Sequence, residues 1–183
     1  MNRTLPERVE TPRLLLRQWH TDDASALKAV IDSSLPHLQQ WLPWAMEHPQ
    51  TLAAIEARIR VWRSQFEAGA EWLYAVCDRG DGRIVGGIGL HRRGAPDTLE
   101  IGYWLAAAET GRGFMTEATD ALTRLALQQD GISRVRIKCD PSNLPSAGVP
   151  RRVGYRHLGT FSEAVDAAPK MMWECTAADK ARP

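Results

Sequence analysis

Leu99-Glu-Ile-Gly-Tyr-Trp-Leu105, followed closely by Glu109-Thr-Gly-Arg-Gly-Phe-Met-Thr-Glu117, is the stretch on which the reading of this chain turns. The first run alternates like a strand, with Leu99, Ile101, Tyr103 and Leu105 on one face and Glu100, Gly102 and Trp104 on the other. The second brackets Arg112 with two glycines and passes at once into a helical pattern, expected from about Met115 to Gln129. Ala118, Leu122 and Leu125 face its core, with Ala121 beside them, and Gly131 stops it. Such a turn exposes backbone N–H groups at the positive end of a helix dipole, where a phosphate or pyrophosphate can bind. Gly-x-Gly also ends ordinary loops, so the turn alone leaves both readings open.

Working outward, Arg134–Cys139 reads as a strand, Val135 and Ile137 alternating with Arg134, Arg136 and Lys138. The strand–helix–strand unit over residues 98–139 predicts a right-handed crossover between parallel strands. Ligands of such sheets favour the carboxyl ends of the strands, and the glycine turn lies at such an end. Upstream, Glu71–Cys77 and Arg83–His91 are strands joined by the turn Asp78-Arg-Gly-Asp-Gly82, and Thr98–Leu105 follows through Arg92–Asp97. Gly86, Gly87 and Gly89 break the β-pattern, which fits a bulge, close approach by a substrate, or simple packing. Before them come a strand at Thr11–Arg17, a helix from Thr21-Asp-Asp23 to about Asp32, and a helix over about Thr51–Glu67. Between the helices, Trp41 and Trp44 flank Pro43 in a short helix-turn excursion over Leu35–Pro49. A short helix over about Leu144–Val153 contains Pro150, so a kink or displaced boundary is expected there. Strands near Tyr155–Phe161 and Lys170–Cys175 complete the order β-α-α-β-β-β-α-β-α-β-β, a mixed α/β fold.

The 183 residues suit one domain over 1–183, with its core at about 8–176. Apolar residues make up 44% and charged residues 25%, and the net charge of +1 implies neither nucleic acid nor a membrane surface as partner. No apolar run reaches the roughly 18 residues a membrane span needs, and Met1–Arg8 lacks the apolar core of a signal peptide. Cys77, Cys139 and Cys175 are far apart and odd in number, which points to a reducing, cytoplasmic setting and to small core residues. His20, His48, His91 and His157 show no mutual spacing for a metal, so each is read as a surface or core residue. Tyr103, Tyr155 and Trp173 are read as core.

Four collinear pieces give the chain a resemblance: Glu10-Thr-Pro-Arg-Leu-Leu-Leu-Arg17, Gln40-Trp-Leu-Pro-Trp44, Glu100–Leu105 leading to Gly111–Ala118, and Asn143-Leu-Pro-Ser146 leading to Val153-Gly-Tyr155. Together they resemble the GNAT superfamily of acyl-CoA-dependent N-acyltransferases, and within it the ribosomal-protein N-terminal acetyltransferases. The resemblance implies a single-domain fold with a mixed, mostly antiparallel twisted sheet, splayed at the cofactor site and flanked by about four helices. It implies acetyl-CoA as acyl donor, a protein N-terminus or small amine as acceptor, no metal, and room for a homodimer. By the same resemblance, Thr110, Gly111, Arg112, Gly113, Phe114, Met115 and Thr116 cradle the pyrophosphate. Gly113 matches the family's loop, whereas Thr110 stands where Gln or Arg is usual and Met115 puts bulk at a usually small position. Tyr103, Trp104 and Leu105 would receive the pantetheine arm like an added strand, with Arg134–Cys139 as partner strand, and Asn143 would orient the arm. His37, Trp41 and Trp44 would border the acceptor slot.

Acyl transfer to an amine needs a neutral amine, a stabilised oxyanion and a proton for the departing thiolate. A terminal α-amine has a pKa near 7.7–8.0 and a lysine about 10.4, a gap worth roughly 3.4 kcal/mol, so a modest base suffices for the former. Glu100, on the strand leading to the turn, is the expected base; the competing reading is a strand carboxylate paired with an arginine. Ser146 is expected near the thiolate, although Asn143 and Ser146 also read as a helix cap. Two other functions stay open: acetylation of a small-molecule amine, and a catalytically silent CoA-binding or interaction module. A nucleotide-phosphate binder is disfavoured, because no Gly-Lys-Ser/Thr follows the glycines.

Overall fold

Eight short strands build one mixed sheet, and the computed structural model describes the chain over residues 5–162 and 168–181. The strands are β1 (Arg8–Glu10), β2 (Leu14–Gln18), β3 (Glu71–Asp78), β4 (Ile84–His91), β5 (Thr98–Leu105), β6 (Arg134–Cys139), β7 (Arg156–Phe161) and β8 (Lys170–Thr176). Their order is β1-β2-β3-β4-β5-β6-β8-β7, antiparallel throughout except for the parallel pair β5–β6. The helices are α1 (Ala24–Leu38), α2 (Leu52–Glu67), α3 (Phe114–Leu127), α4 (Leu144–Val153) and the single turn α5 (Ala177–Lys180). Short 3-10 turns lie at Thr21–Asp23, Pro43–Glu47 and Ala107–Glu109. Among the described residues no helix is long and apolar enough to cross a membrane.

The apolar stripes of the helices assign them to opposite faces of the sheet. Thr51 caps α2 by accepting from the Ala54 N–H at 3.2 Å, and Ile55, Ile59 and Phe66 recur at helical spacing on its buried side. Ile55 and Ile59 pack with Leu27, Ile31 and Leu38 of α1 against Ala75 and Cys77 of β3. On the other face, Ala118, Leu122 and Ala126 of α3 meet Leu99, Ile101, Val135 and Ile137 of β5 and β6, with Ala147, Val149 and Val153 of α4 alongside. Cys77, Cys139 and Cys175 are free and buried, and burial pushes each thiol up.

The structure departs from the sequence reading at specific places. Helix α1 does not end near Asp32 but runs on through Pro36 to Leu38. Pro36 removes the N–H that would reach the Asp32 carbonyl, yet continuing the helix seats Leu38 at 2% exposure on the Leu27–Ile31 stripe. Helix α4 keeps the expected bounds with Pro150 inside it. Strand β1 is an addition, three residues long and paired antiparallel with β2.

Two irregularities shape the sheet. The β3–β4 register slips at Val85, Val76 facing Gly86 and Cys77 facing Ile84, a bulge beside the glycine run. The β5–β6 ladder runs from Thr98↔Arg134 to Ile101↔Ile137 and stops, although β5 continues to Leu105 and β6 to Cys139. The strands therefore part company beyond Ile101.

Candidate active site

The glycine turn sits at the start of α3. Gly111 and Gly113 both hold φ of +77°, a left-handed conformation that other residues adopt at a cost. Gly113 is the N-cap residue and brings no side-chain cap, so the first-turn N–H groups, which a helix cannot satisfy itself, suit an anion. The Thr110 hydroxyl donates to the Ala107 carbonyl at 2.9 Å. Arg112 lies 2.6 Å from a Glu109 oxygen and 4.5 Å above the Phe114 ring, so it is braced rather than loose. Arg83 also pairs with Glu109, and its hydrogen bond first, then that of Arg112, holds this carboxyl below the usual range. Arg13 locks the turn from the loop before β2, donating to the Arg112 carbonyl at 2.8 Å and to Glu117 at 2.7 Å. Phe114 and Met115 are buried in the core, so the Met115 side chain leaves the backbone of the turn accessible despite its bulk. Thr116 accepts from Arg152 of α4 at 3.1 Å.

Across the gap between β5 and β6, the Tyr103 hydroxyl donates to the Ser146 carbonyl at 2.9 Å and lies 3.2 Å from Ser146 Oγ. The reason lies one turn further along α4. Pro150 has no N–H, so the Ser146 carbonyl has no helical donor, and the phenol of β5 supplies one. Burial pushes the Tyr103 phenol up, which keeps it a neutral donor. Asn143 caps α4, its Oδ1 accepting from the Ser146 N–H at 3.1 Å. Tyr103 is thus a half-buried residue, packed against the core, that ties strand to helix at the point where the ladder has ended.

On the opposite face of the sheet, α1, α2 and β3–β5 enclose a cavity of about 390 Å³. Its wall is rich in indole rings: Trp44 and Trp104 meet edge to face at 6.0 Å, and His48 meets Trp44 at 5.6 Å. Gly87 is bare because a Cβ there would meet the Trp104 indole nitrogen at 2.6 Å. A Cβ on Gly86 would meet the Trp104 carbonyl at 2.3 Å and the Leu105 Cα at 3.0 Å, so strand packing explains that glycine. Trp44 lines the cavity, whereas His37 and Trp41 are half-buried at the end of α1 and just past it, outside the lining.

Glu100 shares its strand face with Gly102 and Trp104, which line the cavity, but does not line it itself. It is buried, with Oε1 3.0 Å from Arg93 and Oε2 2.9 Å from Lys138. His91 and its strand neighbour Glu71 do line the cavity, with Arg93. Spacing along the chain could not single out His91, because its neighbours come from register across strands. No group of three or more His, Cys, Asp or Glu among the described residues could hold a metal.

With this geometry in view, the comparisons with known proteins converge. A family model described as an acetyltransferase (GNAT) domain matches residues 13–156. The putative ribosomal N-acetyltransferase YdaF of Bacillus subtilis (strain 168) is 32% identical over 154 residues, 80% of this chain and 79% of that one. The microcin C7 self immunity acetyltransferase MccE, solved with acetyl-CoA and AMP, superposes with a TM-score of 0.83 at 19% identity over 94% of this chain and 98% of that one. RimL, described as a ribosomal L7/L12 alpha-N-protein acetyltransferase in complex with coenzyme A, gives 0.81 at 21% identity over 94% and 97%. At such identities the two structures speak to fold.

Proposed function

The chain belongs to the GNAT acetyltransferase family, an acetyl-CoA-dependent N-acetyltransferase by that membership, and we propose that its acceptor is the N-terminal α-amine of a protein or peptide. The observation that carries this reading is the meeting of two spaces at Tyr103 and Trp104: the gap between β5 and β6 on one side, the indole-walled cavity on the other. A donor lying in the gap brings its thioester to the residues that line the acceptor cavity. The name of the YdaF relative, a ribosomal N-acetyltransferase, supports a protein acceptor.

Acetyl-CoA supplies the activated acetyl group. The uncapped start of α3 fits its pyrophosphate, held by main-chain N–H groups of residues 111–116, with Thr110, Gly111, Arg112, Gly113, Phe114, Met115 and Thr116 forming the cradle. The unpaired edge of Tyr103, Trp104 and Leu105 suits the pantetheine amides, with Asn143 at the mouth of α4. In this reading Ser146 protonates the departing thiolate, and its hydroxyl beside the Tyr103 phenol supports that role. Trp44 forms the wall for the acceptor. An α-amine demands little of the base, because about a tenth of it is neutral at pH 7.

Release of free thiol from acetyl-CoA, measured against a panel of N-terminal peptides and small amines, tests the acceptor. Unblocked peptides are expected to react, and formylating the α-amine is expected to stop the reaction. Turnover with small amines alone would move the acceptor to that class. Thermal stabilisation by CoA with no turnover on any amine would make the chain a silent binder.

A further inference from the structure

We propose that His91 is the group that takes the acceptor's proton, with Glu71 holding its ring; the inference rests on the acyl-transfer reading above. The β3–β4–β5 register places Glu71, His91 and Glu100 in one row across the sheet, and Leu73, Gly89 and Gly102 in the next row on the same face. The bare glycines tell where the imidazole lies. A Cβ on Gly89 would meet His91 Nε2 at 3.3 Å, and one on Gly102 would meet it at 3.4 Å. Nε2 therefore rests over two positions without side chains, in the wall of the acceptor cavity.

The other ring nitrogen, Nδ1, is buried 3.0 Å from Glu71 Oε1, close but not aligned as a full hydrogen bond. Contacts of this kind in ligand-free sites tighten when substrate arrives. A carboxylate at Nδ1 favours the tautomer that carries its proton there and leaves the Nε2 lone pair toward the cavity. Glu100, across the row, has an oxygen each on Arg93 and Lys138 and stands outside the lining. The remaining charged or titratable groups of this surround are Arg93 just past β4, Arg58 of α2, His48 in the loop before α2, Tyr74 of β3 and Tyr103 of β5, all lining the same cavity.

The step balances simply. The amine lone pair attacks the thioester carbonyl and the C–N bond forms. The C–S bond then breaks with its electron pair going to sulfur. Nitrogen loses one proton to His91 Nε2, sulfur gains one to become the free thiol, and no oxidant or further reactant enters.

The test is steady-state thiol release by the full chain, run with an N-terminal peptide and in parallel with a small primary amine, across about pH 5.5 to 9. His91→Gln is expected to lower kcat about 100-fold with KM little changed, and to remove the acid limb of the profile. Glu71→Gln is expected to lower kcat less and to leave that limb in place. His91→Ala is expected to recover turnover when imidazole is added. Wild-type kcat with an intact acid limb in His91→Gln overturns the proposal. So does a loss in His91→Ala that imidazole does not restore and that follows a fall in melting temperature, which assigns the residue to strand pairing. Should the wild type use only the small amine, the peptide-acceptor reading fails while the ratio of variant to wild type still decides the role of His91.

Discussion

Ser146 takes part in three contacts at once: its N–H donates to Asn143, its carbonyl accepts from Tyr103, and its hydroxyl lies beside the same phenol. The carbonyl contact exists because Pro150 cannot make it. Tyr103→Phe should therefore destabilise the protein by about 1 kcal/mol, the cost of losing a half-buried hydrogen bond. Pro150→Ala returns an N–H to the helix, so the Tyr103→Phe cost should shrink in that background. Chemical denaturation of the two single variants and the double variant measures the coupling; strict additivity would mean that Pro150 and Tyr103 act independently.

At the scale of the element, the start of α3 depends on Gly113 in the left-handed region. Gly113→Ala should cost about 1–2 kcal/mol of stability by that conformation alone. It should also shrink the shift in melting temperature that CoA produces, because the first-turn N–H groups would no longer be held in place. An unchanged CoA shift in the folded variant would place the pyrophosphate elsewhere. Most elements were legible in the sequence for a physical reason: β5 and β6 carry period-two patterns, and their bounds agree with the expected ones, as do those of α4 even with Pro150 inside it. The length of α1 was hidden because a local rule about Pro36 lost to the burial of Leu38. The turn could be read, since glycines are a local signal, whereas the parting of β5 and β6 was expected only from the family resemblance. His91 could not, because Glu71, Gly89 and Gly102 become its neighbours only through pairing of strands.

For the whole molecule, the carboxylates set the acid limit. Glu109, Asp140 and Asp179 are held below the usual range chiefly by hydrogen bonds from Arg83, Ser142 and Thr176 respectively. In Asp23, Glu117 and Asp120 burial pulls upward, but bonds led by those from Arg17, Thr11 and Lys180 prevail. A folded pKa below the unfolded one means stability that is present above the unfolded value, about 4 for carboxylates, and lost as pH falls through the folded value. Melting temperature should thus hold steady above about pH 5 and fall steeply below about pH 4. A plateau continuing into strong acid would mean that these pairs contribute little. The sheet itself carries a different exposure. Where β5 and β6 separate, it has a free edge inside the molecule, the kind of backbone that elsewhere invites a stray strand and aggregation. The Tyr103–Ser146 bond pins α4 against this edge. A guest that lies there must be slender and carry its own amides.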